Sequence, residues 1–174
     1  MIIFMPERIM LDIETLGNSP GSVIVSLGAV KFGGGEIRDT FYRRIDAESC
    51  VRQGLRMDVS TVLWWMKQGD AARAELNKPA EDLANVLLAF SQWLDPRNEA
   101  EIWGNGATFD NVLLAEAYAA CGIRRPWKFS NDRCYRTVKA LHPHVELTRQ
   151  GTHHNALDDA ASQAKHLMLM LPNL

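Results

Sequence analysis

The chain has 174 residues, of which 47% are hydrophobic and 23% are charged, and its formal net charge is −2. That length is typical of one domain with a substantial buried core, so we predict a single domain over residues 1–174. No apolar run approaches the roughly 18 residues of a membrane-spanning helix, so none is predicted, and the near-neutral charge does not by itself require a nucleic-acid partner.

The N-terminal half begins with three predicted strands. They lie in the sequences RIMLDIET, GSVIVSLGAVKF and EIRDTFYRRI, and the glycines at 33–35 form the turn between the second and the third. Two helices follow, in DVSTVLWWMKQ and in PAEDLANVLLAFSQWL, with Pro79 near the first turn of the second helix. Trp64 and Trp65 are adjacent, so we expect one to be buried and the other exposed.

The C-terminal half alternates short strands and helices. Strands are predicted in AEIWG and WKFSN, and helices in TFDNVLLAEAYAACG, DRCYRTVKAL and ALDDAASQAKHLMLML. A loop, HPHVELTRQGT, precedes the last helix. Three strands followed by this alternation indicate an α/β fold in which a mixed β-sheet is flanked by helices.

Two carboxylates lie at the end of the first strand. Asp12 and Glu14 are two residues apart, so on a strand their side chains point to the same face. They would repel each other unless a cation lay between them, and oxygen ligands favour magnesium or manganese. The alternative is a strand end that opens into water, with both carboxylates solvated.

A third acid, Asp110, falls in the first turn of the predicted helix after the sequence GNG. The helix dipole favours an acid at this position whatever its function. Asp110 is therefore either a capping residue or a further carboxylate of a site.

The stretch GTHHNALDD contains two histidines and two aspartates. In one continuous helix, His154 would face Asp158 four residues later. Asn155 is a good N-cap, however, and Asp158 then occupies the acidic position of a capping box. On this interpretation His154 lies just outside the helix, Asp159 has no capping role, and His153 serves loop structure or contacts solvent.

Together these motifs resemble the DEDD superfamily of 3′–5′ exonucleases, in its histidine-containing branch with a ribonuclease-H-like fold. LDIETLG is similar to the first motif (D-x-E), GNGATFDNVLL to the second, and HNALDDA to the third (H-x4-D). Within the superfamily, DIETLG, WWMKQ and GNGATFDN most resemble the small phage and bacterial enzymes of the DexA and mycobacterial exoribonuclease type.

The resemblance implies a two-metal phosphodiesterase that uses two Mg²⁺ or Mn²⁺ ions. Asp12 would bridge the ions, Glu14 and Asp159 would complete the first site, and Asp110 would contribute to the second. His154 would contact the nucleotide and act as general base, because an imidazole with a near-neutral pKa accepts protons at working pH. The substrate would be the 3′ end of single-stranded RNA or DNA, and the product a nucleoside 5′-monophosphate.

The resemblance also implies contacts to the terminal nucleotide. Glu14, Thr15 and Leu16 follow the first motif, and Leu16 would pack on the base. Asn105 and Asn111 are further candidates for this contact.

A basic segment precedes the third motif. Residues 122–150 contain seven basic and two acidic residues, a net charge of +5, while the rest of the chain carries −7. The segment is either a solvated face or a phosphate-binding surface for the remainder of the strand.

Two other functions compete with the exonuclease hypothesis. One is a nucleic-acid-binding module without catalysis. The other is a metal phosphohydrolase that acts on small phosphate esters, because DIET is similar to D-x-D-x-T with Glu14 in place of the second aspartate.

The cellular context is predicted from sparse signals. The three cysteines form no CxxC pair, which favours the reducing cytoplasm over a disulfide framework. Pro6, Glu7 and Arg8 interrupt the apolar start, so no signal peptide is expected. A homodimer is a further expectation from the resemblance.

Overall fold

A five-stranded mixed sheet forms the centre of the structure, a computed structural model that describes residues 7–94 and 99–172. Its strands are β1 (Arg8–Thr15), β2 (Ile24–Gly33), β3 (Glu36–Arg44), β4 (Glu101–Gly104) and β5 (Asp132–Cys134). They lie in the order β3-β2-β1-β4-β5. β2 pairs antiparallel with β1 and β3, while β4 pairs parallel with β1 and β5. The predicted mixed sheet is confirmed.

Helices cover the sheet on both faces. Those of the described residues are α1 (Ala47–Arg52), α2 (Val59–Met66), α3 (Asp70–Leu76), α4 (Leu83–Trp93), α5 (Asp110–Ala120), α6 (Tyr135–Leu141) and α7 (Ala156–Met170). One buried cluster contains residues of α4 and α5, and a second contains residues of α7.

The alternating side chains of β1 divide the core into these two layers. Ile9 and Leu11 point into the cluster that includes α4 and α5, whereas Met10 points into the cluster that includes α7. Asp12 and Glu14 continue the Met10 series with a period of two. Both carboxylates therefore face α7, on the same side of the sheet as predicted.

The helix predicted in PAEDLANVLLAFSQWL begins later than expected. α4 starts at Leu83, because the Asp82 side chain accepts a hydrogen bond from the backbone N–H of Ala84 at 3.0 Å and caps the helix. Pro79, predicted near the first turn, lies four residues before the first residue of α4. The apolar positions of the helix are nevertheless buried as their spacing indicated, namely Leu83, Val86, Leu87 and Phe90.

The strand predicted in WKFSN is also wrong. Phe129–Asn131 form a 3₁₀ turn, and the strand is the following Asp132–Cys134. Trp127 is buried from a loop, where its indole N–H donates to Asp132 Oδ1 at 2.8 Å. The predicted helix correspondingly begins at Tyr135 rather than at Asp132.

Two short helices were not predicted. α1 has six residues and α3 has seven, too few for a repeating apolar stripe to be recognised. The first turn of α1 is capped locally, since the Asp46 carboxylate accepts from the backbone N–H groups of Glu48 and Ser49.

None of the helices in the described residues combines the length and the hydropathy needed to cross a bilayer. Cys50, Cys121 and Cys134 are free thiols. The cytoplasmic location stays a prediction.

Candidate active site

A cavity of about 190 Å³ lies at the sheet edge where β1 and β4 end. It brings together residues that are up to 151 positions apart in the chain. The residues that line it are Asp12, Ile13, Glu14, Asn105, Phe109, Asp110, Arg136, Arg149, His153, His154, Asp159 and Gln163. All five residues predicted for chemistry (the four acids and His154) are among them.

Three of the carboxylates form a tight group. One oxygen atom each from Asp12, Glu14 and Asp159 can be chosen so that all three lie within 4.8 Å of one another. Asp159 is buried, and Asp12 and Glu14 are half-buried. Repulsion among three carboxylates this close requires a proton or a cation.

Gly28 allows α7 to lie close enough to β1 for this contact. Gly28 is the partner of Asp12 across the β1–β2 pair. A Cβ atom at this position would lie 2.3 Å from the backbone of Ala156 and Leu157. The missing side chain therefore permits the first turn of α7, which carries Asp159, to rest on the sheet.

Asp110 reaches the cavity from the other side. It is the first residue of α5 and is 2% exposed, which confirms its predicted place in the first helical turn. Gly104 ends β4, and a Cβ atom there would lie 2.3 Å from Asn111 Oδ1 and 2.9 Å from Asp110 Cβ. The sharp turn after β4 thus places Asp110 directly beside the end of β1.

The pKa values of Asp12, Glu14 and Asp110 are raised. Burial, followed by the charges of Asp159 and Asp110, raises the pKa of Glu14 to about 8. Burial, followed by the charges of Asp110 and Glu14, raises the pKa of Asp12 well above its usual range. Burial also raises the pKa of Asp110, although backbone hydrogen bonds and Arg136 oppose the shift. The neighbouring positive charges are therefore too few to neutralise these carboxylates.

The donor set fits divalent cations. Carboxylate oxygens are the ligands that Mg²⁺ and Mn²⁺ prefer. Oδ2 of Asp110 is buried and has no hydrogen-bond partner among residues 7–94 and 99–172. Asp12, Glu14 and Asp159 supply one oxygen each to a common point. A bound cation would satisfy the orphan oxygen and remove the repulsion.

His154 is held at the rim of the cavity in an uncommon conformation. Its φ is 65°, in the left-handed region, where a residue other than glycine stores of order 1 kcal/mol of strain. Its backbone N–H donates to Asp159 Oδ2 at 3.0 Å. Its ring stacks on that of His153 with centroids 3.8 Å apart, and the edge-to-face ring of Trp64 is 5.0 Å away.

The protonation state of His154 follows from these contacts. Burial and the neighbouring His153 lower the pKa of its imidazole, while Asp159 opposes this shift. A lowered pKa keeps the ring neutral at pH 7, which is the form that accepts a proton.

The paired tryptophans divide as predicted. Trp65 is 3% exposed, and its indole N–H donates to the backbone carbonyl of Thr15 at 2.8 Å. Trp64 is 42% exposed beside His154. The end of β1 is thereby tied to α2, and α2 supplies part of the surroundings of His154.

The capping of α7 differs in part from the prediction. Asn155 Oδ1 accepts from the backbone N–H groups of Leu157 and Asp158, as expected of an N-cap. The carboxylate of Asp158 does not complete a capping box, because it accepts instead from the backbone N–H of Thr152 at 2.7 Å. Asp158 therefore fixes the loop before His154. Asp159 is free of capping and faces the cavity, as predicted.

His153 lies closer to the site than predicted. It lines the cavity, and its Nδ1 accepts from the backbone N–H of His154 at 3.0 Å and lies 3.6 Å from Asp159 Oδ2. Its ring is stacked on His154. We predicted that His153 serves loop structure or contacts solvent, and did not predict its contacts with His154 and Asp159.

Three further polar residues of the cavity were not among the predicted catalytic, metal or nucleotide-binding residues, although Arg136 and Arg149 belong to the basic segment. Gln163 is buried and donates from Nε2 to Asp12 Oδ1 at 2.9 Å. Arg136 donates to the backbone carbonyl of Asn105 at 2.6 Å, and Arg149 donates to Asp159 Oδ1 at 2.5 Å. The position of Gln163, one helical turn after Asp159, was a usable signal.

The basic segment contributes residues to two different depressions. Arg136 and Arg149 line the cavity, whereas Arg124, Arg125 and Lys128 line another depression on the described surface together with Phe129. Only part of the segment therefore adjoins the acids.

The residues predicted to contact a nucleotide are not all at the cavity wall. Glu14 and Asn105 line it. The Thr15 hydroxyl donates to the Gly17 carbonyl, and Leu16 lines a different cavity next to α3. Asn111 is buried, and its amide donates to the Ile102 carbonyl and to Asp132 Oδ1. These contacts are those of a residue that holds α5 against the sheet.

Sequence comparisons point to nucleases. The family model described as the 3′–5′ exoribonuclease Rv2179c-like domain matches residues 7–171. Among curated proteins, the exodeoxyribonuclease of Enterobacteria phage T4 is 22% identical over 160 residues, which cover 76% of this chain and 70% of the phage protein.

Solved structures share the fold. A zinc-bound complex of E. coli exonuclease I with single-stranded DNA matches with a TM-score of 0.68 and 13% identity, over 97% of this chain and 42% of that one. This chain thus spans less than half of exonuclease I. The nuclease domain of 3′hExo, a DEDDh family member bound to rAMP, matches with a TM-score of 0.65 and 15% identity, over 98% of this chain and 94% of that one. The fold is the ribonuclease-H-like exonuclease fold expected from the motifs.

Proposed function

The chain belongs to the Rv2179c-like 3′–5′ exoribonuclease family, and from this 3′–5′ exonuclease identity we propose that it releases nucleoside 5′-monophosphates from the 3′ end of single-stranded nucleic acid by a two-metal mechanism. The observation that carries the mechanism is the convergence of Asp12, Glu14 and Asp159 on one point, with Asp110 and His154 in the same cavity.

The four acids have distinct positions in this mechanism. Burial raises the pKa of Asp12, and the charges of Asp110, Glu14 and Asp159 raise it further, so Asp12 lies near all three acids and we assign it to both cations. Glu14 and Asp159 would hold the first cation together with Asp12, and Asp110 would hold the second. When bound, two such ions activate a water molecule and stabilise the charge that develops on the phosphate and the leaving oxygen.

His154 would act as the general base. A neutral ring nitrogen of His154 would accept the proton of the attacking water, and the lowered pKa favours this neutral form. The stacked His153 ring, the edge of Trp64 and the backbone hydrogen bond to Asp159 orient the imidazole.

The terminal nucleotide would lie between the acids and the residues that surround them. Glu14 and Asn105 line the cavity and are placed for direct contact. We propose that Thr15, the last residue of β1, and the adjacent Leu16 also contact the terminal nucleotide. The backbone carbonyl of Thr15 is held there by a hydrogen bond from the indole N–H of Trp65. Asn111 would act indirectly, because it fixes the helix that carries Asp110.

The substrate is a single strand with a free 3′ hydroxyl. The matching family is named for exoribonucleases and the phage relative for a deoxyribonuclease, so both nucleic acids are substrates to test. Rates on 5′-labelled single-stranded RNA, single-stranded DNA and duplexes with 3′ overhangs, measured side by side, would define the preference. Homodimer formation and a single domain over residues 1–174 stay predictions.

The decisive experiment measures the shortening of a 5′-labelled oligonucleotide with Mg²⁺ or Mn²⁺. We expect a ladder that shortens from the 3′ end, and no products with EDTA or after Asp12→Ala. Equal cleavage of a 3′-blocked strand would contradict the exonuclease mechanism. Strand binding without cleavage in any divalent metal would instead support the binding-module alternative.

A further inference from the structure

We propose that Arg149 and a divalent cation compete for the Asp159 carboxylate, and that the displaced guanidinium then binds a phosphate of the substrate. This inference rests on the proposed function. It assigns a positioning role to a residue outside the three motifs.

The contact between Arg149 and Asp159 is direct. Arg149 Nη1 lies 2.5 Å from Asp159 Oδ1, and the other oxygen, Oδ2, accepts the backbone N–H of His154 at 3.0 Å. Within residues 7–94 and 99–172, Asp159 is the hydrogen-bonding partner of the Arg149 guanidinium. One positive charge therefore already adjoins the carboxylate that would bind the first cation.

The Arg149 guanidinium and a divalent cation would weaken each other's binding to the Asp159 carboxylate. An oxygen of Asp159 also belongs to the group formed with Asp12 and Glu14. A dication bound to that group would lie next to the guanidinium and repel it. The metal ion would carry a higher charge than the guanidinium and would bind more carboxylates. The Arg149 side chain is therefore the group that we expect to move.

The surroundings of Arg149 permit this movement. Its side chain is 46% exposed, whereas that of Asp159 is 9% exposed. The adjacent backbone is fixed, because Gln150 N–H donates to Ser162 Oγ at 3.0 Å and Thr152 N–H donates to Asp158 at 2.7 Å. The side chain can therefore turn on a stationary backbone.

A substrate phosphate is the natural new partner. The planar guanidinium presents parallel N–H donors that match two phosphate oxygens, which an ammonium group does not. Arg136, by contrast, donates a hydrogen bond to the backbone carbonyl of Asn105, which is not a proposed metal ligand. Arg149 is thus the cavity cation whose present partner is itself a proposed metal ligand.

The test compares Mn²⁺ binding and nucleotide binding in the same variants. Calorimetric titration with Mn²⁺, without nucleic acid, should show about three- to tenfold tighter binding for Arg149→Gln than for the unmodified protein. Titration with AMP and dAMP at saturating Mn²⁺ should show at least about fivefold weaker binding. The two affinities should change in opposite directions, whereas general damage to the site would weaken the binding of both Mn²⁺ and nucleotide.

Two further variants complete the design. Arg124→Gln removes the same charge from an exposed position outside the cavity and should change neither affinity by more than about twofold. Arg149→Lys keeps the positive charge but loses the parallel N–H donors of the guanidinium. Its Mn²⁺ affinity should stay near that of the unmodified protein, while its nucleotide affinity should fall.

Unchanged or weaker Mn²⁺ binding by folded Arg149→Gln would overturn the competition. Should that variant fail to fold by circular dichroism, unchanged nucleotide affinity in Arg149→Lys would overturn the phosphate role. Failure of the exonuclease proposal is recognised separately, by an unmodified protein that binds Mn²⁺ and cleaves no strand.

Discussion

Two neighbouring histidines at the cavity rim have different contacts, and this difference predicts different roles. His154 has the lowered pKa and the strained backbone, while His153 provides its stacking partner. We expect His154→Ala to lower kcat by about 10²- to 10⁴-fold, the range for loss of a general base. His153→Ala should retain activity within about tenfold, because it removes only support for the base. Steady-state assays with melting curves of both variants would test this, and a larger loss for His153→Ala would reverse the assignment.

The adjacent aspartates give a second contrast at this scale. Asp159 faces the other acids, whereas Asp158 accepts the N–H of Thr152. Asp159→Ala should abolish cleavage with little change in folding. Asp158→Ala should keep cleavage and lower the free energy of unfolding by about 1 kcal/mol, the value of one such hydrogen bond. Denaturant unfolding and the cleavage assay are the measurements. An inactive Asp158→Ala beside an active Asp159→Ala would show that the register of the third motif is wrong.

At the scale of elements, the site depends on how closely α7 lies on the sheet. A Cβ atom at Gly28 would lie 2.3 Å from the backbone of Ala156 and Leu157, where no flexible side chain can move aside. Gly28→Ala should therefore destabilise the fold by about 1–3 kcal/mol and weaken metal binding, although it changes no proposed ligand. Gly69→Ala is a matched control, since nothing lies within 4 Å of a Cβ atom there. Normal Mn²⁺ affinity in Gly28→Ala would mean that Asp159 does not depend on this approach.

For the whole molecule, the acid group couples stability to pH. Glu14 has a folded-state pKa of about 8 against 4.5 in the reference state, so between these values the folded protein holds a proton that the unfolded chain loses. Stability from this group is thus present below about pH 4.5 and is lost as the pH rises toward 8. We expect the Tm in EDTA to fall over this interval, and Mn²⁺ to raise the Tm more near pH 8 than near pH 5.

Glu14→Gln provides the control for this prediction. It removes the titrating group, so its Tm should fall less over the same interval. Thermal melts of both proteins in EDTA and in Mn²⁺ suffice. A Tm in EDTA that falls equally in the two proteins would mean that Glu14 does not carry the effect.

Much of the architecture follows from local pattern. The period-two alternation of β1 predicted that Asp12 and Glu14 share a face, and the apolar stripe of α4 predicted its buried side. Both features depend only on residues close in sequence. Their relative directions follow from the regular geometry of a strand or a helix, which is the same in every protein. Helix starts were less predictable, because the apolar stripe of α4 does not show which preceding residue caps the helix, and in the structure that residue is Asp82.

The sequence by itself determined the residues proposed for chemistry, since the three motifs contain all four acids and His154, and all five line the cavity. The tertiary structure alone decided which other groups meet them. Gln163 bonds to Asp12 across 151 positions, Arg149 bonds to Asp159, and Asp158 turns to Thr152 rather than to its own helix cap. These contacts depend on side-chain directions that arise only when distant segments pack, and no local period encodes them.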